Sequence, residues 1–153
     1  MPESNERISW DEYFMRTTHA ASQRSSCDRA QVGAVIVKNN CPVSQGYNGS
    51  IKGMPHCIDD GVGHLMENGR CIRTIHAEVN AIINASANGV MIAGGTIYVT
   101  HFPCWNCIKC ICNAELVEVV YDKEYRYKDE VDQMIGLANL PIKFRQYSST
   151  QKG

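Results

Sequence analysis

The chain has 153 residues, with 15 Lys and Arg against 16 Asp and Glu, a formal net charge of −1. That length suits one substantial core and is short for two, so we expect a single domain over residues 1–153. Near-neutral charge with scattered Lys and Arg lacks the basic footprint of a protein that tracks nucleic-acid polymers, which favours a small ligand.

The opening segment Met1-Pro2-Glu3-Ser4-Asn5-Glu6-Arg7 lacks a signal-peptide pattern, and no apolar run reaches membrane-spanning length. The expectation is a cytoplasmic protein without a membrane partner. Eight cysteines then read as reduced thiols and metal ligands in preference to a disulfide framework.

Ser9 to Glu12 has capping-box spacing, and Trp10, Tyr13, Phe14, Thr17 and Ala21 recur at helical spacing, so the first helix runs to the Ser22–Ser26 region. Val32 to Val37 is a β-branched strand, and Lys38-Asn39-Asn40-Cys41 turns the chain into a second strand over Pro42–Tyr47. Residues 48–74 carry Gly, Cys, His and Asp without a period, a length unusual for an irregular segment unless something pins it. A helix follows from His76, with Gly89 placed to end it, and Thr96–Thr100 is a strand. Pro103 suits a helix start, residues 104–114 continue that helix, and Leu116–Tyr121 is a strand. A helix through Val131, Met134, Ile135 and Leu137 and a last strand over Leu140–Gln146 complete the order, before a frayed tail over Ser148–Gly153. An opening hairpin followed by strand and helix alternation predicts an α/β fold. Its section is a three-layer α-β-α sandwich on a mixed five-stranded sheet, with the final strands parallel.

His76-Ala77-Glu78 and Pro103-Cys104-Trp105-Asn106-Cys107 carry the chemistry. Cys104 and Cys107 are three apart, so at a helix start both sulfurs face one ion, and His76 at another helix start completes three ligands. A structural zinc site closes with four protein ligands, whereas three leave a position for water, whose pKa zinc brings toward neutrality. Glu78 is the free carboxylate that moves the water's protons. H-x-E with P-C-x-x-C is the signature of zinc deaminases.

With these residues in place the chain resembles the cytidine and deoxycytidylate deaminase superfamily, and within it the deoxycytidylate (dCMP) deaminases, including the Gram-positive ComE-type proteins. The likeness is carried by Ser26-Cys27-Asp28-Arg29, Val32 to Val37, Gly46-Tyr47-Asn48-Gly49-Ser50, Cys71 to Ile82 and Ile97 to Cys104, and it spans roughly Ile8 to Gln146. The resemblance implies zinc-dependent hydrolysis of dCMP to dUMP and ammonia, supplying thymidylate synthesis. It also implies that Asn48 contacts the deoxyribose, the Ala77 backbone N–H meets the cytosine carbonyl, and Glu78 reads the amidine edge. A hexamer activated by dCTP with Mg2+ and inhibited by dTTP is the family expectation. Arg24, Ser25 and Tyr125 are candidates for the substrate phosphate, with solvated surface residues as the alternative.

Cys27, Cys57 and Cys71, with His56 and His64 nearby, are candidates for a second, structural zinc that anchors residues 48–74. A phage relative has cysteines at the places of Cys27 and Cys57; the alternative reading is buried free thiols. Cys41, Cys110 and Cys112 read as packing residues, and Phe102 and Trp105 as core walls or a stack for the base. Two further readings compete. One is another deaminase of the superfamily, acting on tRNA adenosine, guanine or a riboflavin precursor. It is disfavoured by Tyr47-Asn48-Gly49, the long insert and the missing basic excess. The other is a zinc-bearing sensor without catalysis, which would have no need to keep Glu78.

Overall fold

The strands alternate their burial between two layers, and that alternation builds the molecule. In the computed structural model, which describes residues 6–149, a five-stranded sheet has the order β2-β1-β5-β6-β7. These strands are β1 (Gly33–Lys38), β2 (Cys41–Tyr47), β5 (Thr96–His101), β6 (Glu118–Lys123) and β7 (Lys143–Gln146). β1 pairs antiparallel with β2 and β5, whereas β5, β6 and β7 run parallel. The parallel pairs are joined through α3 (Trp105–Asn113) and α4 (Lys128–Ile135), the crossovers that parallel strands require.

Ala34, Ile36, Ile97, Val99, Val119 and Tyr121 point to one face, where α2 (Ala77–Ala87) adds Ala77 and Ala81, α3 adds Ile108 and Ile111, and α4 adds Val131. Val35, Val37, Tyr98 and Val120 point to the other face and meet Phe14 and Met15 of α1 (Trp10–Ser22). A strand period of two therefore gives a sheet between helical layers on both sides, as expected.

Local chemistry sets the ends of the elements. Ser9 Oγ accepts from the Glu12 N–H at 3.1 Å and caps α1. Asn39 and Asn40 take positive φ (52° and 57°) to make the tight β1–β2 turn. Gly89, at φ 66°, follows the end of α2.

Four details differ from the sequence reading. Residues 48–74 contain a small hairpin, β3 (Met66–Glu67) with β4 (Arg70–Cys71), turned by Asn68 and Gly69 at positive φ. α4 stops at Ile135 because Gly136 adopts φ 66°, which puts Leu137 in a separate 3-10 turn and delays the last strand to Lys143. α3 begins at Trp105 with Cys104 as its N-cap, so Pro103 precedes the cap. Cys41 and Cys110 are exposed and do not pack in the core. The expected tail lies, from residue 150 onward, outside the described residues. No helix among the described residues is long and apolar enough to cross a membrane.

Candidate active site

Two helix starts meet above the sheet. His76 is the N-cap of α2 and Cys104 the N-cap of α3, both in extended backbone (ψ 151° and 165°) and neither using its side chain to cap its helix. Their ligand atoms are thereby free to point ahead of the helices. Cys107 occupies the third position of α3, and an N-cap side chain and an N3 side chain lie together at any helix start. His76 Nδ1 lies 3.4 Å from Cys104 Sγ and 3.3 Å from Cys107 Sγ. A tetrahedral zinc with Zn–N about 2.0 Å and Zn–S about 2.3 Å separates such ligands by about 3.5 Å, so the donor set and its spacing fit the ion.

Electrostatics favours a thiolate here. The hydrogen bond from Cys107 and the neighbouring His76 pull Cys104 down to about 4, against its burial. The same sulfur contact, with burial and Glu78, pushes Cys107 up. His76 is raised by Cys104, and both helix N-termini add positive potential.

Glu78 sits at the second position of α2, 4% exposed, with Oε2 accepting from Cys107 Sγ at 3.5 Å. Burial raises its carboxyl above the ordinary range. A carboxylate beside the three ligands, removed from bulk water, is placed for proton transfer. Ala77 is the first helical residue, so its N–H is one of those a helix leaves without an internal acceptor.

β2 holds α2 at this height. Ser44 Oγ donates to Ala81 O (2.6 Å), Asn84 Nδ2 to Gln45 O (2.8 Å) and Asn80 Nδ2 to Tyr47 O (2.9 Å). A Cβ on Gly46 would come within 2.3 Å of Ala77 O, so only glycine permits the approach. Ile75 N donates to Gly49 O (2.8 Å) and fixes the residue before His76. Asn80, Asn84 and Ser44 escape sequence reasoning because they act on backbone carbonyls, although Gly46 belongs to a segment already singled out.

Asn48 is 7% exposed, with Oδ1 accepting from Val32 N (2.9 Å) and Nδ2 donating to Ala30 O (2.7 Å). It braces the loop before β1 and keeps one Nδ2 hydrogen for another acceptor. Ser25 is buried, donates to Asn48 O at 3.0 Å and accepts from Cys27 N at 3.2 Å, so its hydroxyl is already committed. Phe102 is a core residue, 2% exposed and edge-on to Tyr121 at 5.0 Å, which removes it as a stack for the base. His19 is satisfied by Asp122 at 2.7 Å.

The second thiol group also assembles. Cys57 Sγ and Cys71 Sγ are 3.7 Å apart, the ligand atoms of Cys57, His64 and Cys71 lie within 4.8 Å of one another, and so do those of Cys27, Asp28 and His64. His64 is common to both triads. Its Nε2 meets Asp28 Oδ1 at 2.7 Å, while Nδ1 is buried without a hydrogen-bond partner. Burial and the Cys71 contact push Cys57 up to about 11. Against its own burial, the Arg73 backbone N–H and the neighbouring His64 bring Cys71 down to about 6. Asp28 is the member that spacing did not reveal, because it faces His64 only once the insert has folded over it.

Comparison with known proteins agrees with this geometry. Residues 8–123 match the family model described as the cytidine and deoxycytidylate deaminase zinc-binding region. ComE operon protein 2 of Bacillus subtilis is 46% identical over 135 residues, covering 86% of this chain and 70% of that protein. The deoxycytidylate deaminase of Mycobacterium phage D29 is 38% identical over 128 residues, covering 77% of this chain and 98% of the phage protein. A crystal structure of dCMP deaminase from the cyanophage S-TIM5, in complex with dCMP and dUMP, superposes with a TM-score of 0.77 at 30% identity. That match covers 94% of this chain and 100% of the other. A His-Ala-Glu helix start and a Cys-x-x-Cys helix start, set on a mixed sheet and matched over most of their length by these proteins, place the chain in the cytidine and deoxycytidylate deaminase family of enzymes.

Proposed function

We propose that this chain is a single deaminase domain over residues 1–153 that hydrolyses dCMP to dUMP and ammonia, supplying dUMP for thymidylate synthesis. The observation that carries the reading is Glu78, buried and 3.5 Å from Cys107 beside three soft-to-borderline ligands. The S-TIM5 enzyme, whose complex contains dCMP and dUMP, supports the choice of nucleotide.

In this reading His76, Cys104 and Cys107 hold the catalytic zinc. The ion, when bound, supplies Lewis-acid activation that lets water act as a nucleophile near neutral pH. Glu78 accepts a proton from the attacking water and delivers it to the departing nitrogen, which leaves as ammonia. The Ala77 N–H receives the cytosine carbonyl, and the remaining Nδ2 hydrogen of Asn48 reaches the deoxyribose. Trp105, half-buried beside Cys104, walls the entrance.

A second, structural zinc held by Cys27, Cys57, Cys71 and His64 belongs to the same reading. The orphaned His64 Nδ1 and the clustered sulfurs support it, because a buried polar atom without a partner is costly unless something binds it. The reading further includes a cytoplasmic homo-hexamer, activated by dCTP with Mg2+ and inhibited by dTTP, on family likeness alone.

Metal analysis of the purified protein together with an ammonia-release assay on dCMP tests the whole. About two zinc per chain and turnover of dCMP are expected; zinc without turnover would reject the enzyme reading, and about one zinc would reject the second site. Saturation curves for dCMP that are identical with and without dCTP–Mg2+ and dTTP would remove the regulatory element, and a monomer by light scattering would remove the hexamer.

A further inference from the structure

Asn-Gly occurs three times in this chain, at Asn48-Gly49, Asn68-Gly69 and Asn88-Gly89. In this dipeptide an asparagine side chain is open to attack by the backbone, because glycine puts no Cβ in the path of its own nitrogen. The two residues are the same at each place, so the surrounding structure decides which asparagine reacts. Attack requires the asparagine to rotate its ψ until the next nitrogen faces its own Cγ. A hydrogen bond on either group opposes that rotation, and local opening permits it.

Two of the three are tied down. Asn48 is buried, both ends of its amide are hydrogen-bonded to the loop before β1, and Gly49 N donates to Ile75 O at 3.2 Å. Releasing it dismantles that loop together with the residue before His76. Asn88 is exposed, yet its Nδ2 donates to Asn84 O at 2.7 Å and Gly89 N to Ser86 O at 3.2 Å, so reaction there must unwind the end of α2. Asn68 has neither restraint. It and Gly69 are exposed, and neither the Asn68 amide nor the Gly69 N–H has a hydrogen-bond partner among the described residues. Only the pairs Met66–Cys71 and Glu67–Arg70 hold this turn in its left-handed form, with φ 50° at Asn68 and 76° at Gly69. A hairpin of that size is marginal in water and opens at little cost.

We propose that Asn68 is a site of spontaneous covalent modification, deamidating through a cyclic imide formed with Gly69 while Asn48 and Asn88 are protected by the fold. The Gly69 nitrogen loses its proton to solvent and bonds to Asn68 Cγ, and the Cγ–Nδ2 bond breaks to release ammonia. Water then opens the ring at either carbonyl, which leaves aspartate or isoaspartate, so the net reactants are the amide and one water. The step needs neither metal nor nucleotide. Its product puts a carboxylate, and in the isoaspartyl form an added main-chain methylene, two residues before Arg70, which lines the cavity of about 330 Å3 beside Cys104 and Trp105. The conversion therefore changes charge and chain length next to that cavity.

The test is peptide mapping by mass spectrometry of the folded full chain, sampled during incubation at mildly alkaline pH in 18O-labelled water, which marks only the asparagines that react in the tube. Asn68 should convert at least about 10-fold faster than Asn88 and Asn48, the ratio set by the differing cost of opening each site. Its peptide should elute as two products of equal mass, aspartyl and isoaspartyl. In denaturant the three rates should converge, because the dipeptide is the same. Asn68→Gln, whose longer side chain must close a larger ring, should abolish the fast site and leave the rates at Asn48 and Asn88 unchanged. Conversion of Asn48 or Asn88 as fast as Asn68 in the folded chain would overturn the proposal. So would a single aspartyl product, or rates that stay apart in denaturant.

Discussion

The two thiol–imidazole clusters of this molecule are built on opposite principles. His76, Cys104 and Cys107 stand at the starts of two regular helices, and α2 is held to β2 by three side-chain hydrogen bonds and a glycine contact. That cluster is positioned by the sheet. Cys57, His64 and Cys71 stand in an insert whose regular structure amounts to two strands of two residues each, and His64 and His56 both bury an unpartnered Nδ1 there. This second cluster positions its own surroundings. In the proposed reading a metal at the first would be a reagent on a preformed platform, whereas a metal at the second would replace the core that the insert lacks.

The comparison can be broken first at the platform's reagent. Glu78→Ala should retain fold and zinc and lose at least about 10²–10⁴ in turnover, the usual worth of a general acid–base group; steady-state rates at matched zinc content decide, and unchanged turnover would end its assigned role. The platform itself is next. Gly46→Ala drives a Cβ into Ala77 O and Ala81 N, 2.3 and 2.4 Å away. It should cost about 1–3 kcal/mol or more of stability by chemical denaturation and reduce activity with it.

The second cluster should respond differently. Cys71→Ser is expected to lower zinc content by one per chain and to make residues 48–74 the first site of proteolysis, while the His76 cluster keeps its ion. Loss of both ions together would mean that the clusters are not independent.

A polar contact on the α1 face, remote from both, should give the smallest effect. Asp11 pairs with Arg145 and accepts from Tyr98 Oη at 2.6 Å. The Arg145 hydrogen bond outweighs burial and holds its carboxyl below the usual range. A depressed folded pKa means that the unfolded chain binds the proton more tightly. The stabilisation is therefore present above the ordinary aspartate pKa of about 3.9 and is lost as pH falls through the lower folded value. Asp11→Asn should lower the melting temperature slightly near neutrality and flatten its decline in acid; an unchanged acid slope would contradict the pairing.

The same contrast separates what sequence reveals from what it hides. β1, β5 and β6 are legible because β-branched and apolar residues bury both faces. The first cluster is legible because ligand spacing along a helix start is a local property. Leu137 misleads, since its distance from Val131 and Met134 fits a helical period and only the left-handed Gly136 breaks it. The β3–β4 hairpin is too short to show a period, so neither it nor the placement of Arg70 and Asp28 can be read before the insert is folded. Asn48 shows a further limit: a residue carried over from family likeness as a sugar contact also braces the loop before β1.

The most direct test of the central claim is a side-by-side measurement of ammonia release by zinc-loaded wild-type protein from dCMP, cytidine, guanine and a tRNA anticodon stem. Turnover of dCMP well above the others is the predicted result. Turnover of the stem with none of dCMP would contradict the account.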